Sequence, residues 1–238
     1  MRTSLLIPCY NESDGIPQLC MRLRNVVPRL EEEGETEIIF VDDGSTDGTA
    51  QVIAREAGSL KYSIVTHSRN RGLGAALRTG FGACTGDEVV TLDSDCTYDP
   101  VAAIELLRVL RSGYDLVTGS PYHPDGEVVN VKPWRLFLSK SLSRLYWLIL
   151  PHPLYTYTSC FRAYRKDVLA KLRSESDGFL AVTELIVSAI LMGANVVEVP
   201  ATLRSRQFGT SKLKIVKVSL SHLRFIARVM WLRVRGTH

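Results

Sequence analysis

The first half of the chain alternates four times between a short apolar run and a helix-like pattern, and this alternation most constrains the fold. The apolar runs lie at residues 3–8, 37–41, 62–66 and 88–92, and each precedes polar or turn-forming residues and then apolar residues at helical spacing. Strand–helix repeats of this kind favour a parallel sheet covered by helices on both faces. The sequence therefore predicts an α/β fold.

The fourth apolar run ends in two carboxylates separated by one residue, in the order Asp93, Ser94, Asp95. Residues i and i+2 of an extended chain point to the same side, so the two carboxylates are expected to lie together. Like charges held together are favourable when a cation lies between them. An open pair of oxygen ligands suits Mg²⁺ or Mn²⁺, which also takes phosphate oxygens and waters. Taken alone, the triplet fits a polar turn equally well.

Other polar clusters follow the other strands. Asn11 and Glu12 come after the first run, and Asp42 and Asp43 come after the second. Ligands of parallel sheets bind at the carboxyl ends of the strands. Three such clusters on one rim favour a ligand site over a chance turn.

A glycine-rich segment over residues 70–74, Asn-Arg-Gly-Leu-Gly, opens the third helix. Free backbone N–H groups at a helix start can receive a phosphate group. Its spacing differs from the G-x-G-x-x-G pattern, so this segment adds only weak support for a phosphate site.

The charge of the chain is unevenly distributed. The net charge is +4, but the residues from Ala201 onward hold nine Lys or Arg and no Asp or Glu. The remainder has twenty basic and twenty-five acidic residues and is therefore acidic. A basic tail suggests phosphate groups, an anionic membrane surface or nucleic acid. Nucleic acid is the least favoured partner, because the tail lacks the interleaved aromatic residues that base stacking requires.

Two long amphipathic helices are predicted in the second half, over residues 134–150 and 215–235. In the last one, an apolar face and a basic face are expected. The apolar face comprises Leu220, Leu223, Ile226, Ala227, Met230 and Val234, and the basic face comprises Arg224, Arg228 and Arg235. Such a helix, with Trp231, can lie in a membrane interface. The alternative is a helix packed on its own domain or on a second subunit.

The sequence also bears on the compartment. Residues 1–3 lead directly into a strand without a signal-peptide pattern, and no apolar run reaches the roughly 18 residues that span a bilayer. The five cysteines are scattered and form no C-x-x-C pair, which predicts reduced thiols rather than disulfides or a zinc site. We therefore expect a cytoplasmic protein, peripheral at the inner face of the membrane.

Several motifs, in this order along the chain, resemble those of family-2 glycosyltransferases with the GT-A fold. They are the segment at 8–12 (Pro-Cys-Tyr-Asn-Glu), the segment at 41–49 (Val-Asp-Asp-Gly-Ser-Thr-Asp-Gly-Thr) and the aspartate pair. The second half resembles the dolichol- or polyprenyl-phosphate sugar synthases of that family. There, residues 133–139 are similar to their W-P-x-x-R-x-x-x-S, 158–166 to their T-G-S-F-R-x-Y-R-K and 198–212 to their E-V-P and R-x-x-G-x-S-K.

The resemblance implies a GT-A, Rossmann-like fold with a mixed, mostly parallel sheet. It implies a catalytic domain over residues 1–212, with a donor half at 1–119 and an acceptor half at 120–212, followed by the basic helix at 213–238. The implied enzyme is an inverting, metal-dependent glycosyltransferase that moves one sugar from a GDP- or UDP-sugar to a polyprenyl phosphate.

The resemblance also assigns roles to individual residues. The donor nucleotide is held by Pro8, Tyr10, Glu12, Asp42, Asp93, Ser94 and Asp95, and Asp93 and Asp95 also hold the metal. The acceptor phosphate is met by Arg135, Ser139, Arg206 and Lys212. The catalytic set comprises Asp93, Asp95, Arg135, Arg206 and Lys212.

Two positions depart from the family pattern. Pro121 follows residues 118–120 (Thr-Gly-Ser), where the family usually has arginine, and Thr156 falls near the family's aspartate. A hydroxyl acceptor needs a general base, whereas a phosphate monoester is already ionised near neutral pH. The missing carboxylate therefore favours a lipid phosphate as acceptor. Glu184 is the one residue that keeps a hydroxyl acceptor open. The non-enzymatic alternative is a degenerate module that binds a nucleotide sugar without catalysis. The sequence also leaves open a homo-oligomer.

Overall fold

The computed structural model describes residues 1–208 and 215–235, and within the last helix it omits the side chains of residues 215–217, 232, 234 and 235. The strands are β1 (Arg2–Cys9), β2 (Glu35–Asp42), β3 (Tyr62–Thr66), β4 (Glu88–Thr91), β5 (Leu116–Ser120), β6 (Glu127–Val129), β7 (Arg162–Arg165), β8 (Val196–Pro200) and β9 (Thr202–Arg204). The helices are α1 (Ile16–Glu31), α2 (Thr49–Glu56), α3 (Leu73–Ala83), α4 (Ala103–Arg111), α5 (Pro133–Ile149), α6 (Lys166–Leu169), α7 (Leu180–Leu191) and α8 (Ile215–Arg235).

Seven strands form the main sheet, in the order β3-β2-β1-β4-β7-β5-β8. All neighbouring strands are parallel except β7, which runs antiparallel to both β4 and β5. Helices cover both faces, with one buried cluster centred on α1 and α4 and the other on α3 and α7. The predicted α/β fold with a mixed, mostly parallel sheet is therefore confirmed.

Two predicted elements differ from the structure. The sequence of residues 119–133, with His123, Pro124 and Gly126, predicts a loop, but β6 lies within this stretch and pairs in parallel with β9. The sequence also predicts a strand over residues 157–164, but the strand in the structure, β7, begins only at Arg162. The reason is that the backbone of Tyr157 faces side chains instead of a strand: its carbonyl accepts hydrogen bonds from Arg162 and Thr183.

The two long helices of the second half pack against each other. Tyr146 of α5 and His222 of α8 are buried, and the Tyr146 hydroxyl lies 2.9 Å from Nδ1 of His222. Ile226, which the sequence placed on one apolar face with Leu220 and Leu223, is buried, whereas those two leucines are exposed. α8 therefore has two apolar sides, one toward the protein and one toward solvent. The single apolar face predicted for α8 is therefore divided in the structure, whereas Arg224 and Arg228 of its predicted basic face are exposed.

None of the helices within residues 1–208 and 215–235 is long and apolar enough to cross a membrane. The five cysteines are all buried and none forms a disulfide. The division of the chain at residues 119 and 212 stays a prediction.

Candidate functional site

The site lies where β1, β2 and β4 end on one rim of the sheet. Cys9 pairs with Asp42, and Leu6 pairs with Thr91, so the residues that follow these strands emerge side by side. The rim therefore brings the three predicted polar clusters together. Pro8 lies buried near the end of β1, and Tyr10 follows the strand with part of its side chain exposed.

A tight turn fixes the second carboxylate of the aspartate pair. The Oδ1 atom of Asp95 accepts a hydrogen bond of 3.0 Å from the backbone N–H of Thr97. Cys96, between them, adopts a left-handed conformation with φ of 54°, which is uncommon for a residue other than glycine. The turn leaves the Oδ2 atom of Asp95 directed away from its own backbone and toward the basic segment that follows β9.

Arg206 meets two of the clustered carboxylates. Its Nε atom lies 2.8 Å from Oδ2 of Asp95, and its Nη1 atom lies 2.9 Å from Oε1 of Glu12. Both acidic side chains are almost fully shielded from solvent, at 11% and 6% exposure. Charge-assisted hydrogen bonds of this length are the stronger class of hydrogen bonds. The loop after β1 and the turn after β4 are thus joined by one guanidinium group.

The environment of Asp93 disfavours its charged form. Burial is the main cause that raises the pKa of Asp93 to about 7; the charges of Asp95 and Glu12 add to the shift, and the Arg206 guanidinium opposes it. A carboxyl group in this position gains from any nearby cation, because a positive charge stabilises its ionised form. The cluster as a whole therefore attracts positive charge.

The donor set fits a divalent ion that is shared with a phosphate ligand. Within the described residues no group of three or more His, Cys, Asp and Glu side chains is arranged to hold a metal by itself. Mg²⁺ in nucleotide sites commonly takes one or two carboxylates and completes its shell with waters and substrate phosphates. Asp93 and Asp95 fit such a pair.

Loops after β1 and β2 are joined by side-chain hydrogen bonds. The side-chain oxygen of Asn11, a residue with φ of 52°, accepts from the N–H of Thr46 at 2.8 Å, and the Asn11 N–H donates to Ser45 Oγ at 2.9 Å. The Glu12 N–H donates to Thr49 Oγ1 at 2.9 Å. This lattice orients Asp42, which accepts from the Ser45 N–H at 3.0 Å. These hydrogen bonds thus join the loops that carry Glu12 and Asp42, two of the predicted nucleotide-binding residues.

Asp43 has a structural task that the sequence did not reveal. Its carboxylate accepts from the backbone N–H groups of Arg71 (2.9 Å) and Gly72 (2.7 Å) and from Asn70 Nδ2 (2.9 Å), and it lies 2.7 Å from His67 Nδ1. The signal was available, because adjacent residues at a strand end point to opposite sides and so meet different neighbours. His67 is buried, and its two ring nitrogens lie beside Asp43 and Thr79.

The glycine-rich start of α3 is not an open phosphate site. The N–H groups of Gly74 and Ala75 donate to the carbonyl of Asp177, at 2.7 and 3.3 Å. A Cβ atom on Gly72 would lie 2.3 Å from the same carbonyl oxygen, and its φ of 101° is strained for other residues. The phosphate role expected for this segment is therefore wrong, since the chain itself fills the position.

The predicted acceptor side is only partly assembled in the described residues. Arg135 is exposed in the first turn of α5, with its guanidinium 5.3 Å from the centroid of the Trp134 ring. Ser139, one turn later, has its Oγ atom 3.0 Å from Thr158 Oγ1. Arg206 pairs with Asp95 and Glu12 on the donor rim. Lys212 lies outside the described residues.

The family pattern has an aspartate near position 156, where this chain has Thr156. In the structure, a carboxylate from a distant part of the chain lies against Thr156. Glu198 of β8 accepts hydrogen bonds from the backbone N–H groups of Tyr155 and Thr156, the latter at 2.7 Å. Burial raises the pKa of Glu198, and these two N–H groups oppose the rise. Glu198 thus supports the segment that leads to Thr158. This contact is not evident in the sequence, because Glu198 lies forty-two residues after Thr156 along the chain.

Glu184 is engaged in holding a loop. Its carboxylate accepts from the N–H groups of Glu175 and Ser176, both at 2.9 Å, and from Ser176 Oγ at 2.7 Å. The side chain is buried, with 7% of the residue exposed. Glu184 is therefore a helix residue that is hydrogen-bonded to a loop.

The mixed sheet, with an acidic rim at the carboxyl ends of its parallel strands, has the architecture of the GT-A fold. The sequence profile described as "Glycosyl transferase family 2" matches residues 4–173 of the chain. The chain belongs to glycosyl transferase family 2.

Curated relatives extend the similarity over most of the chain. It is 36% identical over 222 residues to the polyprenol monophosphomannose synthase of Mycolicibacterium smegmatis, covering 89% of this chain and 81% of that protein. It is 33% identical over 220 residues to the undecaprenyl-phosphate mannosyltransferase of Micrococcus luteus, covering 90% and 88%. It is 31% identical over 232 residues to the dolichol-phosphate mannosyltransferase of Pyrococcus furiosus, covering 97% of this chain but 64% of that protein.

Solved structures share the fold at lower identity. The glucosyl-3-phosphoglycerate synthase of Mycobacterium tuberculosis, in complex with Mn²⁺, uridine diphosphate and glucosyl-3-phosphoglycerate, superposes with a TM-score of 0.70 at 19% identity, over 98% of this chain and 79% of that one. The mannosyl-3-phosphoglycerate synthase of Rubrobacter xylanophilus has a TM-score of 0.70 at 18% identity, over 100% and 76%. These structures support the GT-A fold.

Proposed function

We propose that the protein is an inverting glycosyltransferase that moves one mannosyl residue from a nucleotide-sugar diphosphate to a polyprenyl phosphate at a membrane surface. The three curated relatives are all named as mannosyl transferases or synthases acting on a polyprenol or its phosphate. One observation carries the proposal most strongly: beside an acidic rim suited to a metal–diphosphate, the acceptor half offers arginine and hydroxyl groups, while backbone N–H groups already occupy the carboxylates of Glu184 and Glu198.

The donor half follows from the rim. Asp93 and Asp95 would hold Mg²⁺ or Mn²⁺ together with the diphosphate, and Asp42 and Tyr10 would contact the nucleoside. When bound, the ion neutralises the negative charge that develops on the diphosphate as the sugar bond breaks. Asp95 is prepared for this role, because its turn fixes one carboxylate oxygen and leaves the other directed into the site.

The acceptor half follows from the chemistry of the nucleophile. A phosphate monoester has its second pKa at about 6, so it is ionised near neutral pH and needs cations rather than a base. Arg135 on α5 supplies a cation, and Ser139, beside Thr158, supplies a hydroxyl donor. Arg206, which pairs with Asp95 and Glu12 in this structure, and Lys212 are expected to join them. Glu184, the carboxylate that a hydroxyl acceptor could have used, is occupied by the loop at 175–176.

The membrane surface is the third part of the proposal. α5 exposes a stripe of large apolar side chains, whereas Tyr146 on the same helix is buried. This stripe comprises Trp134, Phe137, Leu138, Leu145 and Leu148. α8 exposes Leu220, Leu223 and Met230. Basic amphipathic helices bind membrane interfaces through buried apolar area and through attraction to anionic lipids. A cytoplasmic, inner-face location is part of the same proposal.

The proposal is tested by incubating the purified protein with Mn²⁺ or Mg²⁺, polyprenyl phosphate and radiolabelled GDP-mannose or UDP-sugars. We expect an organic-extractable mannolipid, and the donor arms will decide between the two nucleotides. A matched series with an unphosphorylated polyprenol and with glycolipid acceptors tests the hydroxyl alternative. A product formed only with hydroxyl acceptors, or with none, would contradict the proposal.

The same assay separates an enzyme from a degenerate binding module. Asp95→Asn keeps the turn but removes a metal ligand, so we expect product formation to fall by about a hundredfold or more. Asp99→Asn is the matched control, because Asp99 follows on the same loop, is 47% exposed and pairs with Arg22. Equal rates for both variants would favour a role that does not involve catalysis at this rim.

A further inference from the structure

The guanidinium of Arg206 occupies the electrostatic position that a metal ion would need. It lies 2.8 Å from Asp95 and 2.9 Å from Glu12, while the Arg206 side chain itself is 23% exposed. The Oδ2 atom that it contacts is the one that the turn after β4 directs into the site. A cation supplied by the chain therefore already compensates the acidic rim.

The segment that delivers Arg206 is fixed to this part of the protein. The Arg204 N–H donates to the carbonyl of Thr97 at 2.9 Å, and the Ser205 N–H donates to the carbonyl of Val129 at 3.0 Å. Thr97 also forms the turn that holds Asp95. Arg206 is therefore anchored just before its own position, so its side chain can change partners while the preceding backbone stays in place.

We propose that Arg206 is an internal counter-ion of the acidic rim, which is displaced from Asp95 when a metal–diphosphate complex binds. Two cations cannot share one carboxylate oxygen without strong repulsion, since unit charges about 4 Å apart interact by roughly 4 kcal/mol near a protein surface. A hard divalent ion has the higher charge and brings anionic phosphate oxygens with it. Arg206, still held at residue 205, can then pair with those oxygens.

This proposal rests on the proposed function only for the nature of the ligand. It adds an order to the reaction: the donor complex binds first, and Arg206 changes partner before the second phosphate is received. In this structure, Arg206 contacts both Glu12 and Asp95 and lessens the repulsion between the two carboxylates. No covalent bond forms or breaks in this exchange.

Metal affinity is the most direct test, because it needs neither sugar nor acceptor. Mn²⁺ binding to the full-length protein is measured by electron paramagnetic resonance or calorimetry, without nucleotide. If Arg206 competes with the ion, Arg206→Gln should bind Mn²⁺ more tightly than the wild type, by about threefold or more, given the energies typical of ion pairs that are not fully buried. Arg204→Gln, an exposed arginine two residues earlier, should leave the affinity unchanged.

In the presence of a nucleotide, the expected effect of Arg206→Gln on Mn²⁺ binding is the opposite. With GDP or UDP present, Arg206→Gln should bind the Mn²⁺–nucleotide complex more weakly than the wild type, because the displaced arginine no longer pairs with phosphate. Thermal melts check that both variants are folded. Arg206→Lys is the second variant should Gln disturb folding, and it should keep part of the nucleotide affinity.

Mn²⁺ affinity that is equal or lower in Arg206→Gln, or undetectable in both proteins, would overturn the proposal. Failure of the mannolipid assay alone would not, because the metal titration is independent of the acceptor.

Discussion

Asp42 and Asp43 are adjacent and equally buried, yet their side chains have different tasks. Asp42 faces the rim and accepts a hydrogen bond from one backbone N–H. Asp43 instead accepts hydrogen bonds from donors in residues 70–72, just before α3, and lies beside His67. A chain leaving a strand presents successive side chains to opposite sides, so adjacent carboxylates rarely share a ligand. The doublet therefore combines one residue for binding with one for folding.

Asp43→Asn should destabilise the protein more than Asp42→Asn does. The amide of asparagine cannot accept all the hydrogen bonds that the Asp43 carboxylate accepts, and a buried donor left unpaired costs about 1–3 kcal/mol. We expect Asp43→Asn to lower the free energy of unfolding by that amount in urea titrations. Asp42→Asn serves as the matched control and should instead weaken nucleotide binding. Equal losses of stability would contradict the division of tasks.

Glu184 decides between two acceptors, and its variants distinguish a loop anchor from a general base. Glu184→Gln keeps one acceptor oxygen, so mannolipid formation should stay within about threefold of wild type, whereas loss of a general base typically reduces the rate about 10²–10⁴-fold. Glu184→Ala should lower the free energy of unfolding by about 1–3 kcal/mol, since the loop donors lose their partner. A Gln variant that folds normally but is inactive would restore the hydroxyl-acceptor reading.

At the scale of elements, α5 and α8 act as one unit because a buried polar pair joins them. Tyr146 and His222 bond to each other in an otherwise apolar contact that includes Ile226 and Val229. Burial lowers the pKa of His222 from its ordinary value of 6.5 to about 4. The folded protein therefore holds this histidine neutral between these two pH values.

The sign of the resulting pH dependence follows from that shift. A histidine whose folded pKa is depressed contributes its full stability above the unfolded pKa near 6.5, and the contribution is lost as the pH falls toward about 4. Each pH unit in this window corresponds to at most about 1.4 kcal/mol. Urea unfolding at pH 7.5 and 5.5 should show a larger loss for wild type than for His222→Gln.

Glutamine at position 222 can still bond to the Tyr146 hydroxyl but does not titrate, so it isolates the charge from the contact. His152→Gln is the control variant, because His152 lies in the loop after α5, outside both helices. The same pH loss in wild type and His222→Gln would show that other groups govern this window.

At the scale of the whole molecule, the sequence predicted what depends on local periodicity and order. The strand–helix alternation predicted the parallel sheet. The positions of Asp93, Asp95 and Glu12 after strands predicted that these carboxylates lie on one rim of that sheet. Contacts between distant segments were not predictable in this way. The carbonyl of Asp177 fills the start of α3, and Glu198 supports Thr156, because packing brings together segments that are far apart along the chain. Arg206 was predicted as a phosphate ligand, but its pairing with the donor carboxylates required the structure.

The arrangement of the helices predicts how the molecule meets a membrane. α5 and α8 are joined on their inner sides, so their exposed apolar stripes move together, and Arg135, Lys140 and Arg144 accompany the α5 stripe. We expect the protein to float with vesicles of phosphatidylglycerol and phosphatidylcholine at low salt. Raising the ionic strength to 1 M, where the Debye length falls to about 3 Å, should release much of it by screening the basic residues.

Apolar and electrostatic contributions can be separated with one pair of variants. Phe137→Ser combined with Leu148→Ser removes two residues that are 70% and 64% exposed on α5, so it should reduce flotation at every salt concentration while leaving stability nearly unchanged. Met21→Ser combined with Met192→Ser removes two residues of similar character, 51% and 47% exposed, from α1 and from the end of α7. If both double variants floated equally well, or if the wild type stayed with the soluble fraction at low salt, α5 would not be the membrane-facing helix.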